Sequence, residues 1–131
     1  MRRDVSAIIL FDEDKRILLQ HRSRDAKRLP DFWGFFGGGI ENGESPEQAL
    51  LRESKEELGY TPQNPRLVMV QEYEHEGVKN KKYIYMEEYN NDTSLHLADG
   101  QAMDWFQPQD TKKLKMIDHD REVIRYIKDK Y

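Results

Sequence analysis

Three glutamates in one short segment, Glu53, Glu56 and Glu57, are the residues of this sequence best suited to do chemistry. If the segment is helical, spacings of three and four residues place their carboxylates on one face. Like charges at these spacings repel, and the negative end of the helix dipole disfavours anions in the last turn. Hard divalent cations such as Mg²⁺ prefer carboxylate oxygens and would relieve this repulsion. The glutamates therefore indicate a candidate cation site.

An ordinary solvated helix is the alternative explanation of the same residues. Glu is a good helix former, Arg52 can pair with Glu56 four residues away, and charge-rich helix ends are usually exposed surface. The segment before the helix favours the cation site. Glycines at 37–39 allow a backbone carbonyl to approach a bound ion closely, and Glu44 adds a carboxylate just before the helix. An ordinary flexible turn is the competing interpretation of these glycines.

Residues 38–60, GGIENGESPEQALLRESKEELGY, resemble the Nudix box. That motif is Gly-x5-Glu-x7-Arg-Glu-U-x-Glu-Glu-x-Gly-U, in which U is a bulky aliphatic residue. Ser54 and Tyr60 replace the two bulky aliphatic residues, and both lie off the carboxylate face. The whole chain is similar to the compact MutT-like branch of the Nudix hydrolase family. The fixed positions that match in type and spacing are Gly38, Glu44, Arg52, Glu53, Glu56, Glu57 and Gly59.

The resemblance implies a metal-dependent hydrolase. In the family, glutamates of the box helix and the carbonyl of the first box glycine bind Mg²⁺ or Mn²⁺. The box arginine, here Arg52, orients a glutamate, and Glu44 is expected to support the same shell. The implied metal ligands in this sequence are Gly38, Glu53, Glu56 and Glu57.

The general base is left open between two kinds of carboxylate. Family members use either a box glutamate or a carboxylate from a later loop. Asp99, followed by Gly100, resembles the Glu-Gly element that MutT-like proteins place before the last strand. An ordinary Asp-Gly turn is the competing interpretation. Asp99 is therefore a catalytic candidate together with the box glutamates.

Four residues are candidates for substrate binding. Arg22 follows a predicted strand and is expected to reach phosphate oxygens, although a solvated loop cation is the alternative. Phe35 and Tyr83 are potential stacking surfaces for a base, although alternation along strands sends half of such rings into the core. MutT-like enzymes read oxidised guanine partly with an Asn near the start of the terminal helix. Asp118 and Asp120 are nearest to that position, so we name Asp120 and leave specificity for oxidised dGTP open.

The implied reaction is hydrolysis of the diphosphate linkage in a nucleoside diphosphate joined to another group X. A nucleoside triphosphate, cleaved to monophosphate and pyrophosphate, is the favoured small-molecule substrate, with oxidised dGTP as one possibility. The alternatives are a nucleotide-sugar pyrophosphatase, an RNA 5′-end pyrophosphohydrolase and a non-catalytic nucleotide-sensing module. The net charge of -4 disfavours long RNA, and the intact glutamate set disfavours a sensor.

The helix that must position the glutamates is predicted from Pro46 to Leu58. Ser45 can cap its first turn, Gln48 completes a capping box, and Gly59 provides the stop. Ala49 falls beside the glutamates on a helical wheel. The opposite face, expected to pack on a sheet, contains Leu50, Leu51, Ser54 and Leu58.

Alternating and apolar runs predict strands at residues 5–11, 16–21, 66–76, 82–89 and 103–106. A second helix is predicted over 120–130, capped by Asp118 or Asp120. The order strands, helix, strands, helix indicates an α+β class. The resemblance implies the Nudix fold, an α/β/α sandwich with a central mixed β-sheet, as a single domain over residues 1–131.

Composition excludes several classes of protein. The sequence has no cysteine, so a metal must be held by oxygen or imidazole. Its longest aliphatic-aromatic stretch, residues 7–11, is far shorter than the roughly 20 residues of a membrane span. Asp4 directly after Arg2 and Arg3 does not fit a secretory signal, so we expect a cytoplasmic protein without a membrane partner. With 21 basic and 25 acidic residues, no long nucleic acid is expected as partner, and monomer and homodimer both remain open.

Overall fold

The structure is a computed structural model that describes residues 2–89, 94–97 and 101–131. No helix in this part of the chain is long and apolar enough to cross a membrane. A short 3₁₀ helix at Pro108–Lys113 precedes the last α-helix. The elements in chain order are β1 (Val5–Phe11), β2 (Ile17–His21), β3 (Trp33–Gly34), β4 (Phe36–Gly39), α1 (Pro46–Leu58), β5 (Arg66–His75), β6 (Val78–Glu88), β7 (Ala102–Phe106) and α2 (Asp118–Lys130).

The strands form one mixed sheet around β1. Its main order is β3-β2-β1-β6-β5, while β4 also pairs with β1 and β7 also pairs with β2. β1 and β6 are parallel, with Val5 opposite Lys82 and Phe11 opposite Glu88. The other pairings are antiparallel. This mixed sheet confirms the predicted α+β class.

The two helices cover opposite faces of the sheet. Successive side chains of β1 point to opposite faces, so Ile8 joins the core under α1 and Ile9 the core under α2. Burial on both sides explains why β1 is a nearly continuous apolar run. The α1 core contains Ile8, Leu10, Leu18, Phe36, Leu50, Leu58, Tyr60 and Tyr85. The α2 core contains Ala7, Ile9, Ile17, Leu19, Ile84, Met86, Met116, Val123, Ile124 and Ile127.

Helix α1 has the predicted ends and the predicted capping box. The Gln48 backbone N–H donates to Ser45 Oγ at 3.1 Å, and the Ser45 N–H donates to Gln48 Oε1 at 2.8 Å. Its predicted buried face was partly wrong, because Ala49 is fully buried and Leu51 is only half-buried. The reason is that α1 packs on both β1 and β4, which extends its buried face toward the glutamate side.

The glycines at 37–39 form part of strand β4 and not the flexible turn that the sequence suggested. Gly37, Gly38 and Gly39 pair with Ala7, Ser6 and Val5 of β1. Gly37 has φ +147, and a Cβ there would overlap the backbone of Ser6. Glycine is required because only a residue without a side chain lets the two backbones approach this closely.

Two further boundaries differ from the sequence prediction. β6 begins at Val78 because Glu76 and Gly77, with φ of 51 and 78, form a tight two-residue hairpin turn after β5. α2 begins two residues early, and neither predicted aspartate caps it, since Ile117 is at the N-cap without a side-chain bond. Instead, the Asp120 carboxylate accepts a hydrogen bond from Lys82 Nζ of β6.

We predict that Gly37→Ala destabilises the fold far more than Gly77→Ala. Both glycines have positive φ, which costs a side-chain-bearing residue about 1–2 kcal/mol, but a Cβ at Gly77 would meet nothing within 4 Å. The overlap with β1 should bring the loss at Gly37 to at least about 3 kcal/mol of unfolding free energy or prevent folding. Urea unfolding measures both variants, and equal losses would contradict this role of Gly37.

Candidate active site

The guanidinium of Arg52 lies at the centre of a hydrogen-bond network beside α1. Its Nε and Nη2 donate to the two carboxylate oxygens of Glu44 at 2.8 and 2.9 Å. Its Nη1 donates to Glu53 Oε1 at 2.8 Å, and Nη2 also donates to the Gly39 carbonyl at 3.0 Å. The hydrogen bonds from Arg52 lower the pKa of Glu44 to about 2. This bidentate pairing with Glu44 fixes the position of Arg52 and, through Arg52, that of Glu53.

Glu53 lies directly against the backbone of Gly38. A Cβ on Gly38 would come within 2.5 Å of the Glu53 carboxyl carbon and 2.6 Å of its Oε1. Any larger residue at this position would displace the carboxylate. The Glu53 side chain is 18% exposed, so its oxygens lie at the edge of solvent. The structure therefore brings together Gly38 and Glu53, two of the predicted ligands.

Glu57 lies one helical turn further on, against Gly37. Its Oε1 accepts a hydrogen bond of 2.8 Å from the Gly37 backbone N–H. Burial raises the pKa of Glu57 to about 7, and the negative charge of Glu53 adds to the rise, while the Gly37 hydrogen bond opposes it. Two carboxylates thus lie against consecutive glycines, and the second is poorly compensated for its negative charge.

Glu56 is the most exposed of the three glutamates on this helix. Its side chain is 61% exposed, and its Oε2 is 3.7 Å from Arg52 Nη1. In the part of the chain that the structure describes, no three Asp, Glu, His or Cys side chains form a ready-made metal cluster. The donor set nevertheless fits a hard divalent cation, because two repelling carboxylates and a backbone segment supply only oxygen ligands. Metal binding by these residues stays a prediction.

A cavity of about 350 Å³ extends from Glu53 and residues 37–39 to the N-terminal end of α2. Of the predicted substrate contacts, Arg22, Phe35 and Asp120 line it. Arg22 also interacts electrostatically with Glu57. Tyr83 does not line the cavity and packs against the α1 core. The structure therefore gathers three of the four predicted substrate residues around one space of ligand size.

The far end of the cavity contains a buried ion pair between Lys82 and Asp120. Their side chains are 5% and 10% exposed, and Lys82 Nζ donates to the Asp120 carboxylate. Lys82 Nζ also lies 2.6 Å from His119 Nδ1 and 5.4 Å from the centre of the Tyr73 ring. Burial lowers the pKa of Lys82, while the nearby Asp120 charge opposes the change. Both members of the pair line the cavity.

Sequence reasoning missed Lys82 as a site residue. A signal was present, since Asn80 and Lys82 occupy the same face of β6 as the core residue Ile84. Polar residues at inward positions of a strand indicate that this part of the sheet faces something other than apolar core. Asp99, the predicted loop carboxylate, lies outside the described residues.

Comparisons with known proteins agree on one family. A family model described as NUDIX domain matches residues 1–127. The chain is 44% identical over 66 residues to the 8-oxo-dGTP diphosphatase of Escherichia coli (strain K12), covering 50% of each chain. It is 44% identical over 61 residues to the RNA pyrophosphohydrolase of a Nitratiruptor species, covering 44% of this chain and 37% of that protein. The chain thus spans half or less of the length of these curated relatives.

The fold has a close counterpart among solved structures. The solution structure of the E. coli ORF135 protein superposes with a TM-score of 0.80 and 26% sequence identity. The superposition covers 98% of this chain and 89% of the other. The similarity therefore extends over both faces of the sheet and not only over residues 38–60.

We predict that, in metal-free buffer, the unfolding free energy falls as pH rises from about 4.5 to about 7, the ordinary and folded-state pKa values of Glu57. The folded carboxyl keeps its proton to higher pH than the unfolded one, so unfolding releases a proton in this window and becomes easier as pH rises. Glu57→Gln should remove this decline. Chemical unfolding across the pH range measures it, with Glu56→Gln as the exposed control, and an unchanged profile in Glu57→Gln would contradict it.

We predict that Asp120→Ala lowers the unfolding free energy by about 3–5 kcal/mol, because it leaves the buried Lys82 charge without a partner. The double variant Lys82→Met/Asp120→Leu should lose much less, since it removes both charges and fills the space. Asp118→Ala, an exposed aspartate in the same helical turn, is the matched control. Urea unfolding measures the unfolding free energy of all three variants. A double variant as unstable as Asp120→Ala would refute the ion-pair assignment.

Proposed function

Because a family model matches nearly the whole chain, this protein belongs to the Nudix family, and we propose that it is a hydrolase of nucleoside diphosphates joined to another group X. The favoured substrate is a nucleoside triphosphate, cleaved to monophosphate and pyrophosphate with Mg²⁺ or Mn²⁺. One observation carries this proposal: Glu53 and Glu57 lie against consecutive glycines at one end of a cavity that arginines line. The Glu53 carboxylate, suited to a cation, thereby shares one space with guanidinium groups suited to phosphates.

In this proposal, Glu53, Glu57 and the Gly38 backbone hold the divalent cation. Glu56, which is more exposed, is a further candidate ligand. Arg52 orients the Glu53 carboxylate, and Glu44 holds Arg52 in place. When bound, the cation neutralises charge on phosphoryl oxygens and lowers the pKa of an attacking water.

The proton of the attacking water requires a carboxylate of the site as acceptor. The candidates remain a box glutamate and Asp99. Burial raises the pKa of Glu57 to about 7 in the cation-free protein, but a cation bound by Glu57 would favour its charged form. A carboxylate of the site that does not bind the cation would therefore be better suited to accept the proton.

The rest of the substrate is proposed to run along the cavity. Arg22, which interacts with Glu57, lies on the phosphate side. Phe35 offers a ring surface, and the Lys82–Asp120 pair offers a donor beside an acceptor. Such a pair suits the polar edge of a base, which carries adjacent acceptor and N–H groups. Because one relative is named 8-oxo-dGTP diphosphatase, oxidised dGTP is one nucleotide to test.

RNA 5′-end pyrophosphohydrolysis is the second candidate function. The Nitratiruptor relative named RNA pyrophosphohydrolase supports it. The cavity of about 350 Å³ has the size of a small-ligand site, and the net charge of -4 disfavours a long polyanion. We therefore rank a free nucleotide above RNA.

A substrate panel tests the proposal. The purified protein with Mg²⁺ is incubated separately with nucleoside triphosphates, oxidised dGTP, nucleotide sugars, dinucleoside polyphosphates and triphosphorylated RNA, and the products are measured. We expect a nucleoside triphosphate to give monophosphate and pyrophosphate, and EDTA to abolish turnover. Preferred turnover of the RNA would select the second candidate. Tight binding of one compound with no turnover of any would replace the hydrolase by a nucleotide-sensing module.

We predict that Glu57→Gln lowers kcat by about 100-fold or more, because it removes a charged oxygen ligand from the cation site. The variant should remain folded, since the amide can keep the hydrogen bond from Gly37 and removes a buried charge. Glu47→Gln, on the exposed first turn of the same helix, is the matched control. Steady-state kinetics with circular dichroism measures both, and wild-type turnover in Glu57→Gln would refute the assignment.

A further inference from the structure

Three arginines line the cavity without an ion pair. Arg3, Arg22 and Arg28 all contribute to its wall. Among residues 2–89, 94–97 and 101–131, no carboxylate pairs with any of their guanidinium groups. The two lining carboxylates, Glu53 and Asp120, are already engaged by Arg52 and Lys82, respectively. The cavity lining therefore contains more cationic side chains than carboxylates, which favours a polyanionic ligand.

Arg3 is the arginine whose position the fold specifies most closely. A Cβ on Gly39 would lie 2.8 Å from Arg3 Cζ and 2.5 Å from its Nη2, so the guanidinium occupies the space of the missing side chain. Gly39 pairs with Val5, the first residue of β1, and Arg3 lies two residues before Val5. The Arg3 backbone N–H donates to Asn80 Oδ1 at 2.7 Å, which holds this part of the chain against β6.

The neighbouring arginine shows that this arrangement is specific to one residue. Arg2 is 54% exposed and donates through Nε and Nη2 to the two carboxylate oxygens of Asp4, at 2.9 and 3.1 Å. It does not line the cavity. Arg2 is thus paired with a carboxylate, whereas Arg3, which is also exposed, lines the cavity and has no carboxylate partner among the described residues.

The Arg3 guanidinium and the candidate cation site flank the same short stretch of backbone. Glu53 lies against Gly38, and Arg3 lies against Gly39. The Cα atoms of adjacent residues are about 3.8 Å apart, and adjacent side-chain positions on a strand point to opposite faces. Arg3 and Glu53 nevertheless both line the same cavity, so a diphosphate bound there to a cation at Glu53 would lie near the guanidinium at Gly39.

We propose that Arg3, seated on Gly39, is a phosphate-binding residue of this protein. The assignment rests on the proposed function, because it takes the polyphosphate of the substrate as the ligand. The planar guanidinium can donate two parallel hydrogen bonds to a phosphate group. Gly39 has a distinct part in this arrangement, since its missing side chain leaves the space that the guanidinium fills.

Two substitutions and their combination test the proposal. We expect Arg3→Ala to raise KM for the best nucleoside triphosphate about tenfold with little change in kcat, and Arg3→Lys to recover part of the loss. Gly39→Ala should raise KM similarly, because the new Cβ displaces the guanidinium. In the Arg3→Ala background, Gly39→Ala should add no further loss. Arg2→Ala is the matched control and should behave as wild type, and thermal unfolding confirms that each variant is folded.

A binding measurement separates this proposal from the proposed function. Calorimetry with inorganic pyrophosphate in EDTA should show about tenfold weaker affinity in Arg3→Ala than in Arg2→Ala. If the wild type binds pyrophosphate in this way but hydrolyses no nucleotide, the proposed function is wrong and the phosphate-site proposal stands. Normal hydrolysis with Arg3→Ala indistinguishable from Arg2→Ala would overturn the phosphate site alone. A Gly39→Ala loss that persists fully without Arg3 would also overturn it.

Discussion

The close packing of helix α1 against the glycine strand β4 is the constraint on which the whole site depends. Each glycine makes room for a different neighbour. Gly37 admits the backbone of β1, Gly38 admits the Glu53 carboxylate, and Gly39 admits the Arg3 guanidinium. Three consecutive glycines therefore bring two charged groups and a neighbouring strand to the same short stretch of backbone. Any side chain added there displaces one of them.

The carboxylates around this strand have opposite electrostatic environments. Hydrogen bonds from Arg52 lower the pKa of Glu44 to about 2, whereas burial raises that of Glu57 to about 7. The compensated carboxylate holds the arginine in place, and the uncompensated one has negative charge to offer a cation or a proton. Glu44 and Glu57 are the same type of residue, so it is their different partners that make Glu44 a supporting group and Glu57 a reactive one.

The opposite end of the cavity contains a pair of opposite charges, unlike the repelling glutamates. Lys82 and Asp120 are buried charges whose mutual attraction offsets the cost of removing them from water. Buried pairs of this kind contribute little net stability compared with apolar packing, so their place in the cavity wall favours a role in ligand recognition over a role in folding. The Lys82–Asp120 pair and the glutamates are held by opposite faces of one sheet, through β6 and α2 on one side and α1 on the other.

The sequence by itself determined α1, its capping box, the main strands and the spacing of the box residues. These features depend on neighbours within a few residues or on a periodic apolar pattern, and both are readable along the chain. It did not reveal that the glycines form a strand, that Ala49 is buried or that Glu56 faces solvent. Those outcomes depend on how α1, β1 and β4 meet.

Residues far apart in the chain supply the rest of the candidate site, and only the tertiary structure decided their places. Arg3 reaches Gly39 because β1 and β4 pair, and Lys82 reaches Asp120 because β6 and α2 share one face. No local pattern encodes such contacts, since a charged residue reads as surface until the element that buries it is known. Conversely, Tyr83, an apparent stacking ring in the sequence, packs against the core because the sheet turns it toward α1.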